Sequence, residues 1–348
     1  MSSPAELLAH AASTVTCMRV TTSITSDDLA GVGQVAARCE AAGFDFVSSQ
    51  ENRHDPFIPL TLAAAATTNI GLSTNVAIAF PRSPMVAATV SWDLQALSSG
   101  RFTLGLGSQI KPHNERRFSV PWSAPAPRMR EYVQSIRAIF NCWQTGERLT
   151  YEGDHYQFTL MTPNFTPPPL DGPPPALHIA AVGPHMLGVA GRECDGVMLH
   201  SFCTPLYLEQ TIMPLLQRGL EASGRSRHDF DVVGGGFVAT GATDADVDRA
   251  FEFIRKRVGF YGSTPSYWPV LEVHDQLDLG HKLNALSKAG EWDAMTDAVP
   301  DDVVELFCAR GRHDEIAPAI GEHFGGLVDT IAIDADTPAE TISAIHAL

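Results

Sequence analysis

The segment Trp92-Asp-Leu-Gln-Ala-Leu-Ser-Ser-Gly-Arg-Phe-Thr-Leu-Gly-Leu-Gly-Ser-Gln109 joins an apolar helix, a stop signal, a buried strand and a Gly-rich loop. Trp92, Leu94 and Leu97 fall where one helix face would bury them, and Ser98-Ser99-Gly100 reads as a helix C-terminus. The stretch 102–106 is too apolar for a surface strand. Gly105 and Gly107 are expected to let the backbone pass close to something flat or charged.

The same alternation extends to both sides. Upstream, strand-like runs at 15–21, 44–48 and 70–76 separate helical periodicity over 27–42, 58–67 and 85–97. Downstream, runs at 177–181, 196–200, 232–239 and 329–333 alternate with helices over 127–144, 185–191, 205–220 and 244–258. Eight short strands, each apolar on both faces and separated by helices, predict an α/β fold, a (β/α)8 TIM barrel. An open Rossmann-like sheet is the rival, but no G-x-G-x-x-G follows the first strand. Residues 1–348 are read as one domain, with insertions near 108–126, 148–175 and 262–301. The last two hold a hairpin-like 151–158, a stiff Pro-rich connector, and an extension of the seventh unit.

Composition narrows the function. The apolar fraction of 44% is globular, and no apolar run is long enough to cross a bilayer. A net charge of −16 argues against nucleic-acid or anionic-membrane binding. The N-terminus lacks a basic segment followed by an apolar one, so no export signal is expected. Six cysteines without a C-x-x-C pair read as reduced thiols and a cytoplasmic protein. Histidine spacing gives no metal-ligating pattern, and no G-x-S-x-G elbow is present. Lys111, Arg116, Arg117, Arg128 and Arg130 face only one acid, Glu115, and form a candidate patch for an anionic small ligand or a solvated loop.

In a barrel, the loops after each strand's C-terminal end build the active site. After the second strand come Glu51, Asn52 and His54, with Asp55-Pro56 as a helix cap. After the third, 73–81 runs on past its end without a turn residue, which calls for a bulge. After the fifth, Gly183-Pro184-His185-Met186 opens a helix whose free N–H groups suit a phosphate. After the sixth, His200 and Phe202 reach the mouth. The aromatic run 260–268 lines the pocket or fills the insertion core, the latter being favoured for most of its rings.

Read together, Phe44-Asp-Phe-Val47 with Glu51, the 94–107 segment, Ala181-Val-Gly-Pro184 and Asp195-Gly196 resemble the luciferase-like monooxygenase superfamily. Within it the chain looks like the branch that uses the deazaflavin coenzyme F420 in place of FMN. The resemblance implies a frequently dimeric barrel that holds the deazaflavin ring in its mouth. It implies that Glu51 contacts the ring and that Asn75-Val76 is a non-prolyl cis peptide backing it. It implies further that Gly183 to Met186 hold the phosphate and that His200 meets substrate. Asn52, Ser108 and Gln109 are candidate ring contacts, Phe202 a substrate contact, and Lys111, Arg116, Arg117, Arg128 and Arg130 candidates to hold the coenzyme's acidic tail. Asn52 stands where related dehydrogenases carry a catalytic His, and an amide exchanges no proton near neutral pH. His54, His113 and His200 are then the candidate proton donors. The implied activity is hydride transfer between the deazaflavin and a small organic substrate. An FMN-dependent monooxygenase and a non-catalytic flavin-binding protein are the alternatives.

Overall fold

The computed structural model describes residues 17–24 and 27–348. Positions 15 and 16 of the first expected strand, and the N-terminus read for an export signal, lie outside them. Eight parallel strands form the ring: β1 (Arg19–Ser23), β2 (Phe46–Ser49), β3 (Gly71–Thr74), β4 (Phe102–Gly107), β5 (Ala176–Ala181), β6 (Gly196–Leu199), β7 (Asp231–Gly234) and β8 (Thr330–Ala332). Each pairs with the next in chain order, and β8 returns to β1 with Thr330 opposite Arg19, which closes the barrel. The expected (β/α)8 TIM barrel is the observed fold.

The strands are not apolar on both faces. Val20, Val47, Leu72, Leu104 and Val197 are fully buried against the helical layer. Thr21, Ser48, Ser73 and Thr103, each next to one of these in the chain, line a small internal cavity with His178 of β5. A pleated strand sends successive side chains to opposite faces, so the interior is polar where the sequence alone read continuous burial.

Helices α1 (Val32–Ala42), α2 (Phe57–Ala66), α3 (Pro84–Leu97), α4 (Pro125–Thr145), α5 (Pro184–Glu193), α6 (Met213–Ala222), α7 (Asp244–Gly262) and α8 (Ala339–His346) surround the ring, with further helices in the seventh unit. Gly43 ends α1 at φ 96°, a left-handed conformation in which its N–H reaches the orphan carbonyls of Cys39 and Glu40. On α3, Trp92 and Leu94 are buried, but Leu97 is 50% exposed, one step off the inward face.

The three long segments have structure. Residues 108–126 hold a short π-helical turn, His113–Arg117, before α4 begins. In 148–175, Tyr151–Glu152 pairs antiparallel with Gln157–Phe158. The Pro-rich run behind it is clamped to α3, where Trp92 Nε1 donates to Pro168 O at 3.1 Å and Gln95 Nε2 to Pro173 O at 3.0 Å. Residues 262–301 hold the helices Trp268–Glu272, Leu277–Ala289 and Trp292–Asp297.

The expected strand over 232–239 is two strands. Gly234 and Gly235 take φ of 83° and 109°, β7 ends there, and Phe237–Gly241 pairs in parallel with Cys308–Arg312 outside the barrel. A Gly pair inside an apolar run marks such a departure.

Gly105 and Gly107 make room for the protein itself. A Cβ on Gly105 would stand 2.0 Å from Thr74 O and 2.5 Å from Met198 Sδ, and one on Gly107 would stand 2.6 Å from Val76 Cγ2. Gly105→Ala is therefore expected to destabilise the barrel by about 2 kcal/mol or more, read as a lowered chemical-denaturation midpoint. An unchanged midpoint would contradict the close packing of β3 on β4.

Candidate active site

The site grows from a fault in the β3–β4 ladder. Leu72 and Ser73 pair with Phe102 and Thr103, but beyond Thr74 the pairing resumes as Ala77 with Leu106 and Ile78 with Gly107, one residue out of step. The slip contains the peptide Asn75-Val76, which is cis, as the family resemblance implied. At the slip Thr74 Oγ1 replaces backbone partners, donating to Gly105 O at 2.7 Å and accepting from Gly105 N–H at 2.9 Å. This is a β-bulge, and it turns the strand end towards the mouth.

Glu51 holds the bulge from behind. Its Oε2 accepts from Ile78 N–H at 2.7 Å and from Arg82 Nη1 at 2.6 Å, and its own N–H donates to Val76 O at 3.3 Å. Arg82 also donates to Ile78 O and to the Asp55 carboxylate. Its guanidinium pKa is raised: burial lowers it, but hydrogen bonds and charge from Glu51 and Asp55 outweigh that. Asp55 accepts from Phe57 N–H at 3.0 Å, the cap read from the sequence. The ring contact expected of Glu51 finds its carboxylate committed to Arg82 and the backbone, outside the lining of the mouth.

The mouth is a cleft of ≈1910 Å³, counting space open to solvent. Its wall includes Asn75, Val76, Ser108, Gln109 and Gly183 to Met186, so these expected ligand residues come together. Gln109 has φ 55°, which turns the chain sharply after β4. The α5 ladder begins with Leu187 N–H donating to Gly183 O at 3.0 Å, which leaves the N–H groups of His185 and Met186 for a ligand. Among the residues lining this cleft there is no Asp or Glu, while Lys111 and Arg257 are present.

His200 stands on the opposite wall. Its Nδ1 accepts from Phe202 N–H at 2.9 Å, so the neutral ring carries its proton on Nε2. The ring lies 4.2 Å from that of Tyr261 and 4.9 Å from that of Tyr267, and Arg257 Nη2 donates to the Tyr261 hydroxyl at 2.7 Å. Burial, and then Arg257, push the His200 pKa down to about 4. At neutral pH it is a hydrogen-bond donor through Nε2–H. Tyr261 and Tyr267 belong to the aromatic run assigned mainly to the insertion core, and the structure puts both on the pocket wall. Gln50, Trp122 and Arg257 also line it, and no motif had marked them.

The remaining candidates are elsewhere. Phe202 is 2% exposed and stacks on Phe307 at 4.5 Å, which makes it core where a substrate contact was expected. Asn52 is exposed; its side-chain amide donates to Gln50 Oε1 and its backbone carbonyl accepts from Arg117 Nη2 at 2.9 Å. His54 is half-buried and His113 exposed, and neither lines the cleft. Arg116 is exposed outside the cleft, while Arg117 ties the 108–118 loop to the loop after β2. Arg128 stacks on Phe80 and donates to the Tyr156 hydroxyl. The basic patch read from sequence is thus divided: Lys111 lines the cleft, Arg117 and Arg128 have partners of their own, and Arg116 is exposed outside it. Among the described residues no cluster of His, Cys, Asp and Glu suits a metal, and no helix is long and apolar enough to cross a membrane. Cys39, Cys142, Cys194, Cys203 and Cys308 are buried free thiols.

A family model described as luciferase-like monooxygenase matches residues 6–330. The chain belongs to that family. An uncharacterised protein of Mycobacterium tuberculosis (strain ATCC 25618 / H37Rv) is 46% identical over 305 residues, 88% of this chain and 90% of the relative. An F420-dependent glucose-6-phosphate dehydrogenase of Nakamurella multipartita is 29% identical over 296 residues, 79% of this chain and 81% of the relative. The solved coenzyme F420 dependent tetrahydromethanopterin reductase from Methanopyrus kandleri superposes with a TM-score of 0.76 at 20% identity, covering 94% of this chain and 96% of that one. Family membership and the expectation of an oxidoreductase stand together.

The histidines give a stability prediction. His178, His200, His274 and His323 all have pKa values lowered chiefly by burial. For His178 burial outweighs Asp231, whose Oδ2 lies 3.7 Å away, so the neutral ring is the folded form. With folded values below the unfolded 6.5, the unfolded chain binds more protons as pH falls, so stability declines from about pH 6.5 towards 4. His200 accounts for the order of 3 kcal/mol. Thermal midpoints across this window should fall with pH, and less steeply in His200→Gln; parallel curves for the two proteins would refute the assignment.

Proposed function

We propose that this protein is a coenzyme F420-dependent oxidoreductase moving a hydride between the deazaflavin and a small organic substrate. The observation that carries it is the mouth: a large cleft with no lining carboxylate in a chain of net charge −16, walled by the bulge on one side and a helix N-terminus on another. The residues suit a flat anionic group. Gly107 and the turned Asn75-Val76 segment leave a backbone-built wall, and the free N–H groups at His185 and Met186 suit a phosphoryl oxygen. The F420-dependent relative supports the choice of coenzyme.

The deazaflavin would supply the hydride chemistry. The chain's own part is to shape and orient. Asn75, Val76, Ser108 and Gln109 flank the ring; Gly183 to Met186 hold the phosphate. His200, Tyr261, Tyr267 and Arg257 face the substrate. His200 Nε2–H and the Tyr261 hydroxyl offer that wall two hydrogen-bond donors, suited to a carbonyl or hydroxyl oxygen where charge develops. Met198 and Leu199 also line the cleft and add apolar surface to it.

Two experiments test this. Titration with F420 should quench the fluorescence of Trp122, which lines the mouth, and Trp122→Phe should remove most of the quenching while changing Kd by less than about threefold. Binding of FMN alone would replace the reading with an FMN enzyme, and binding without turnover over a broad substrate panel would favour a non-catalytic carrier. Separately, His200→Ala should lower kcat by about 10–100-fold, the loss of one buried hydrogen bond, and His200→Gln by much less. The wild-type kcat/KM profile should show no inflection near pH 6.5 from this ring; finding one that His200→Gln abolishes would disprove the donor role.

A further inference from the structure

The loop after β4 gives the mouth four residues in a row, Ser108, Gln109, Ile110 and Lys111. The side chain that holds this stretch is not itself in the cleft. Asn114 is fully buried, and its Nδ2 donates to Ser108 O at 3.0 Å and to Ile110 O at 3.1 Å. Both partners are carbonyl oxygens, so they fix which way the amide faces.

The two carbonyls straddle Gln109, the residue at φ 55°. A residue other than glycine is seldom found in this left-handed region and stays there only where its surroundings over-determine it. Asn114 adds backbone bonds to the same effect. Its N–H donates to Ile110 O at 3.2 Å, and its carbonyl accepts from Val120 N–H at 2.8 Å, two residues before Trp122 of the mouth wall. The Oδ1 of Asn114 is buried, and no described protein group donates to it. A buried acceptor without a protein donor is not what packing alone would select, so the donor half of the amide is the part the loop uses.

The consequence is electrostatic. A loop presents carbonyl oxygens to a cleft as readily as N–H groups, and carbonyl dipoles aimed inward repel an anionic ligand. Because Asn114 lies outside the cleft, the Ser108 and Ile110 carbonyls that it draws are turned towards the protein. The backbone of this wall thereby follows its side chains, which include no carboxylate.

We propose that Asn114 is a positioning residue of the mouth: it withdraws two backbone acceptors from the β4 loop and holds Gln109 in its turned conformation, leaving a wall that favours an anionic ligand. The ligand half of this proposal rests on the coenzyme reading above; the loop half does not.

Two full-length variants test it. Asn114→Leu fills the buried volume without a donor, and Asn114→Ser keeps one hydroxyl donor. Hydrogen exchange needs no ligand: in Asn114→Leu the amides of residues 109–120 should exchange about tenfold faster or more, with α1 and α8 unchanged and Asn114→Ser in between. An unchanged loop, or the same acceleration throughout the protein, overturns the proposal. Should Asn114→Leu not fold, Asn114→Ser carries the comparison with the wild type. Calorimetric titration with F420 and with FMN then reads the mouth. Whichever the wild type binds should bind Asn114→Leu about tenfold more weakly or worse, and Asn114→Ser should recover part of the loss. Equal affinity of wild type and Asn114→Leu overturns the ligand half, as does a loss that Asn114→Ser does not relieve. Binding of neither flavin by the wild type sinks the coenzyme reading and the ligand half with it, while the exchange result still decides the loop.

Discussion

The one-residue slip between β3 and β4 is the constraint on which the functional end of the molecule depends. Once pairing resumes out of step, Thr74 supplies a hydroxyl where the backbone ladder fails, and Gly105 leaves room for the Thr74 carbonyl oxygen and the Met198 side chain. Gly107 must do the same for Val76. Behind the slip, Glu51 and Arg82 fasten Ile78 from both its N–H and its carbonyl. Removal of one member of such a buried charged pair leaves the other uncompensated, which explains why the pair and the bulge come as one unit.

That unit also settles the electrostatics of the mouth. Glu51 is the first acid in the loop after β2, and Arg82 pairs with its carboxylate. With the acids of this very acidic chain absent from the mouth wall, the cleft is left to Lys111, Arg257, the α5 N-terminus and neutral donors.

Much of the barrel was legible from periodicity. The strand that follows Gly100 and the helices before and after it have boundaries within a residue or two of those read from the chain, because Gly stops and apolar runs are local signals. Where the reading failed, a local signal pointed two ways. Residues 232–239 look like one buried strand until Gly234 and Gly235 take positive φ and send half of it to another sheet. The bulge was foreseen from a strand pattern that overran its end. The polar barrel interior was not, since alternation over four or five residues is too short to separate from mixed burial.

The sequence by itself determined the succession of strands and helices, the helix start at Gly183-Pro184, and the family, since these rest on neighbours in the chain. Only the tertiary structure decided which polar side chains serve the site. His200 faces the cleft while Phe202, two residues on, is core. Glu51 turned to an arginine thirty-one positions away, and Arg128 to the Tyr156 hydroxyl. Long charged side chains find partners through space, and nothing in their order along the chain records which helix will pass beside them.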